Sequence, residues 1–150
     1  MSKRAAPRAV VDSNVFVSGL ITPGGRPSRL LDLWYEGKFE LLLSDQQYTE
    51  LADVLGRPRI VRNHRIDPQS LSNLLAGLSE ATRVVAKSGV PVPLRDSKDV
   101  HILAAAFGGA ADYLVTGDTD LLVLQGDPRL GHLQIVTIPQ FLAVLAQDTR

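Results

Sequence analysis

The sequence predicts an α/β protein, a three-layer sandwich in which a mostly parallel central sheet of about five strands lies between helices. Three observations predict it. Short, continuous apolar runs read as strands buried on both faces. Segments with apolar residues at helical spacing fall between those runs. Turn and capping residues separate the two kinds of segment. With 150 residues, 45% of them apolar, the chain suits a single domain that buries about two-thirds of its surface.

Residues 9–11 start the first strand, which Asp12, Ser13 and Asn14 break. ITPGGRP is a turn-rich loop, and Pro27 suits the first position of a helix carrying Leu30, Leu31, Leu33 and Trp34, with Gly37 as its stop. FELLLS is the second strand. Ser44 and Gln47 match a capping box, and the helix behind them places Tyr48, Leu51, Ala52 and Leu55 on one face. Asp67-Pro68 opens a helix with Leu71, Leu74, Leu75 and Leu78 in register. RVVA gives a third strand and VPVPL an irregular connection. Ser97 or Asp96 caps a helix that Gly108-Gly109 ends. YLVT and QIVT are the fourth and fifth strands, and PQFLAVLAQ closes the chain as a helix.

Composition narrows the function. Sixteen basic and sixteen acidic residues cancel, so nucleic acid would be met by a local patch and not by a global field. The absence of cysteine removes disulfides and thiolate metal sites and fits a reducing cytoplasm. No apolar core of a signal peptide precedes Asp12, and ILAAAFGGAA is too short to span a bilayer. The expectation is a cytoplasmic protein away from the membrane.

The acidic residues carry the chemistry. Asp12 follows the first strand, Asp118 and Asp120 follow the fourth, Asp96 and Asp99 sit at the mouth of a helix, and Glu50 lies early in the helix after strand two. Loops at the carboxyl ends of parallel strands converge on one crevice, so acids far apart in sequence can meet there. Crowded carboxylates need a compensating cation, and oxygen-only ligands point to Mg²⁺ or Mn²⁺. Each acid also has a structural reading. Asp12 fits a tight turn, Asp96 and Asp120 fit helix caps, Asp99 fits a helix-dipole partner, and Glu50 fits a solvated face. The three histidines share no metal-ligand spacing, and no nucleophile elbow or Walker loop is present.

Four segments in order, VVDSNVFVSGL, SDQQYTELADVL, RDSKDVHILAAA and YLVTGDTDLL, make the chain resemble the PIN domain, the fold of toxin ribonucleases from bacterial and archaeal toxin–antitoxin modules. The resemblance implies a Mg²⁺- or Mn²⁺-dependent endoribonuclease that cleaves single-stranded RNA by metal-assisted water attack. It implies an acidic site of Asp12, Glu50, Asp99 and Asp118, with Asp120 close by and Asn14 and Thr116 orienting the ligands. It also implies a homodimer and a small antitoxin partner. Ser13 stands where many relatives carry threonine.

RPRIVRNHR, residues 57–65, is the basic segment of an otherwise neutral chain. Its Arg57, Arg59, Arg62 and Arg65 suit phosphate, because the guanidinium fork donates two hydrogen bonds to one group. The alternatives are a solvated loop and an antitoxin-docking face, with Arg26, Arg29 and Lys98 the next candidates for RNA. Two rival functions fit the same pattern: a Mg²⁺-dependent phosphatase or phospho-acceptor with Asp12 as nucleophile, and an inactive interaction module. DSN lacks the second aspartate that haloacid-type phosphatases carry, and intact acids at four positions disfavour an inactive module.

Overall fold

Five parallel strands in the order β3-β2-β1-β4-β5 form the sheet of the computed structural model, which describes residues 5–147. Residues 1–4, including the basic start of the chain, and residues 148–150 lie outside the described part. The strands are β1 (Arg8–Val11), β2 (Glu40–Ser44), β3 (Thr82–Val84), β4 (Tyr113–Val115) and β5 (Gln134–Val136). Between them run α1 (Ser13–Ile21), α2 (Arg26–Tyr35), α3 (Asp45–Leu55), α4 (Pro58–His64), α5 (Pro68–Glu80), α6 (Ser97–Gly108) and α7 (Thr119–Leu122), and α8 (Ile138–Gln147) closes the chain.

The strands are parallel because each of β1 to β4 is followed by a helical crossover that brings the chain back to the same end of the sheet. Their apolar residues alternate between two cores. Ala9, Val11, Leu41, Leu43 and Val115 face one core, packed by Phe16, Leu31, Leu51, Leu74 and Phe141 from α1, α2, α3, α5 and α8. Val10, Leu42 and Leu114 face the other, packed by Leu103 and Ala106 of α6 and Leu121 of α7. Each fully buried leucine or phenylalanine contributes about 1.5–3 kcal/mol relative to exposure. Two helical layers thus hold the sheet between them, as the apolar runs predict.

The strand order matters for function. From β1 the chain builds outward through β2 to β3, then crosses back through α6 to β4 on the other side of β1. The carboxyl ends of β1 and β4 therefore flank the point where the winding reverses, the place where open α/β sheets keep a crevice.

Several local expectations differ from the structure. Residues 13–21 form helix α1, where the sequence suggests only a break and a loop. Its residues Val15, Phe16, Gly19 and Leu20 are buried, and a helix apolar on most sides gives little periodic signal. A side chain at Gly19 would run into Leu31, so glycine lets α1 and α2 approach. Pro27 takes the second position of α2, after Arg26, with Gly25 as cap. The basic segment is not a loop. Pro58 starts α4, and Arg65 ends it in a left-handed conformation at φ +50°.

Candidate metal centre

Main-chain pairing joins the ends of β1 and β4, which lead to Asp12 and Asp118. Val11 of β1 is in register with Val115 of β4, and the Asp12 amide donates to the Val115 carbonyl at 2.9 Å. After β1 only Asp12 precedes α1, and after β4 the segment Thr116, Gly117 and Asp118 leads into α7. Asp12 is the cap of α1, its Oδ1 accepting from the Asn14 amide at 3.4 Å. Asp118 is the cap of α7, its Oδ1 accepting from the Asp120 amide at 2.9 Å, so the capping role falls on Asp118 and not on Asp120. Asp96 caps α6 by accepting from the Lys98 amide at 2.8 Å, which puts Asp99 in the first helical turn. The helix starts carry partial positive charge, which offsets part of the repulsion among these acids.

Thr116 links the two strand ends. Its fully buried hydroxyl donates to Asp12 Oδ2 at 2.9 Å and accepts from the Asp118 amide at 3.0 Å. One side chain thereby fixes the orientation of Asp12 and the turn that carries Asp118.

Asp99 is the buried acid, at 5% exposure. Its Oδ2 has no hydrogen-bond partner, an expensive arrangement for a buried polar atom. Burial raises its pKa to about 6, reinforced by the adjacent Asp118 carboxylate and by the charges of Asp96 and Asp120. Carboxylate oxygens of Asp99, Asp118 and the exposed Asp120 lie within 4.8 Å of one another. An all-oxygen set with an unpaired buried member fits a hard divalent cation, which would satisfy the orphan oxygen and the shared negative charge together.

Asp12, Asp99, Asp118 and Glu50 all line one cleft of about 610 Å³. Glu50 is exposed and stands on the α3 wall, where its Oε1 accepts from Gln46 Nε2 at 3.2 Å. Asn14 is also exposed on the cleft wall, and it is its backbone amide that reaches Asp12. Gln47 departs from the capping-box expectation. Its amide does donate to Ser44 Oγ at 3.1 Å, but its side chain turns inward and donates to the Val11 carbonyl at 2.7 Å and to Ser13 Oγ at 3.2 Å. It thus fastens α3 to the end of β1. His101, which has no motif in the sequence, reaches the cleft wall and shares a 2.8 Å hydrogen bond with Ser44.

The arginines divide. Arg57 lines the cleft with its guanidinium paired to Asp53 at 2.8 Å. Arg59, Arg62 and Arg65, exposed on or just after α4, lie outside the cleft wall, as do Arg26 and Arg29. Lys98 is on the wall.

A family model described as PIN domain matches residues 8–120, a span that includes every acid of the cleft. The chain belongs to the PIN domain family. The uncharacterized protein MJ1680 of Methanocaldococcus jannaschii is 26% identical over 140 residues, covering 90% of this chain and 89% of that protein. The crystal structure of PAE2754 from Pyrobaculum aerophilum superposes with a TM-score of 0.51 at 16% identity, covering 96% of this chain and 99% of the other, and shares the fold. PIN domains are in general nucleases that use divalent metals, and this PIN domain carries an acidic cluster suited to one. No helix among the described residues is long and apolar enough to cross a membrane.

Proposed function

We propose that this PIN domain is a Mg²⁺- or Mn²⁺-dependent endoribonuclease acting on single-stranded RNA, and that it serves as the toxin of a toxin–antitoxin pair. The observation that carries the nuclease reading is the unpaired, buried Oδ2 of Asp99 beside Asp118 and Asp120. A structural acid would have its oxygens satisfied by the protein. Asp12, Asp99 and Asp118 would hold the cation, with Asp120 completing the set from the solvent side. When bound, the cation supplies charge stabilisation at a phosphodiester oxygen and lowers the pKa of water.

The chain's own groups do the positioning. Thr116 fixes Asp12, and the cap of α7 aims Asp118. Glu50, across the cleft and steered by Gln46, would orient the attacking water and accept its proton at Oε1. The antitoxin partner and the homodimer rest on likeness to the toxin branch of the family. The exposed arginines of α4 offer a face for an acidic partner segment.

Cleavage of a labelled, unstructured RNA tests the reading. Activity should vanish with a chelator, return with Mn²⁺ or Mg²⁺, and fall by at least about a hundredfold in Asp12→Asn. Chelator-resistant cleavage, or full activity in Asp12→Asn, would contradict it.

A further inference from the structure

The acidic cleft does not end at Glu50 and His101. A second hollow of about 550 Å³ adjoins it and shares Gln46, Glu50, Lys98 and His101 with it. Its lining also includes Lys87 and Ser88, in the connection between β3 and α6. The four shared residues set the two hollows side by side, on either side of the α6 start.

The charges of the two hollows differ. Acids crowd the first, Lys98 lines both, and Lys87 lines the second. Both ammonium groups are exposed, and among the described residues neither is in an ion pair. Arg57, by contrast, is already neutralised by Asp53. Glu50 is the acid at the junction.

The floor of the second hollow is firmly mounted. The Lys87 amide donates to the Ala104 carbonyl of α6 at 2.9 Å. Gly108 lies so close to Val85 that an added Cβ would overlap the Val85 carbonyl. The lysine-bearing connection is therefore pinned to the same helix that carries Asp99.

We propose that the RNA strand leaves the acidic cleft past His101 and is held by its phosphates at Lys98 and then Lys87, forming a backbone-binding subsite on this side and not across the arginines of α4. The inference rests on the ribonuclease reading and names the path its substrate takes. Lysine suits such a contact as a point charge that neutralises a phosphate without reading a base, so the grip is independent of sequence.

Affinity of a fluorescent oligouridylate, measured by anisotropy against salt with Mn²⁺ present, tests it in an Asp12→Asn background that spares the substrate. Lys87→Ala and Lys98→Ala should each weaken binding and lower the salt slope of log K by about 0.7, the value for one phosphate contact to a single strand. Lys→Arg at the same positions should restore the slope. Arg59→Ala and Arg62→Ala should leave both quantities unchanged, and melting temperatures matching the parent would exclude unfolding. Unchanged affinity and slope in the lysine variants, with RNA still bound, would overturn the path alone. Failure of the parent to bind any RNA would overturn the ribonuclease reading and the path with it.

Discussion

Thr116 carries more of the site than its size suggests, because one hydroxyl serves both Asp12 and the turn before Asp118. Thr116→Val keeps the shape and removes the bond. It should cost about 0.5–1.5 kcal/mol by leaving two half-buried partners without this hydroxyl, and weaken Mn²⁺ binding about 10–100-fold. Thr116→Ser should recover most of both, as read by denaturant melts and metal titration, and equal losses in the two variants would contradict the hydroxyl's role. Asp99 gives a pH signature. Its pKa, about 3.9 in an unfolded chain, stands near 6 in the metal-free fold. Between those values the folded state keeps a proton that the unfolded state has released, so stability falls as pH rises. Wild type should therefore lose melting temperature relative to Asp99→Asn from pH about 4 to about 6, then run parallel to it above. A constant difference across that range would show that burial and Asp118 do not hold the proton. Asp12, Asp99 and Asp118 are legible in the sequence because strand ends and helix mouths in a parallel sheet share one edge. Gln47 is not, since a side-chain bond to a carbonyl 36 positions away leaves no periodic trace. His101 is equally silent until α6 brings it against Ser44.

Helices and strands with one-sided or two-sided burial were readable from spacing, as in α3 and α5 or the runs of β2 and β4. Helix α1 was not, because burial of Val15, Phe16, Gly19 and Leu20 spreads its apolar residues over most of its surface. Helix α4 had a usable signal in Pro58, which suits a first helical position, but its basic residues read more naturally as a loop. The glycine pair after α6 shows a second reason for a stop signal. Gly109 caps the helix, whereas Gly108 is required by the close approach of the Val85 carbonyl. Gly108→Ala should therefore destabilise by about 1–3 kcal/mol despite its better helix propensity, because backbone must move to admit the methyl group. A chemical melt showing stability unchanged or raised would mean that the connection from β3 yields freely.

Across the whole molecule, neutrality of net charge coexists with strong local order of charge. The sheet reverses its winding at β1, and that reversal collects negative charge at one crevice, with Lys98 on its wall and Lys87 in the adjoining hollow, neither in an ion pair among the described residues. The fold class and the convergence of acids follow from strand order, which alternating elements predict well. The position of the cations along the crevice depends on how an irregular connection packs on α6, and that packing has no sequence period. If the acids converge to hold a divalent cation, Mn²⁺ should bind where they meet. Calorimetric titration of Mn²⁺ into wild type, Asp99→Asn and Asp118→Asn, all verified as folded, tests it most directly. Binding should be saturable in wild type, displaced by Mg²⁺, and lost or weakened at least about tenfold in both variants. Equal Mn²⁺ affinity in Asp99→Asn and wild type would mean that Asp99 holds no cation.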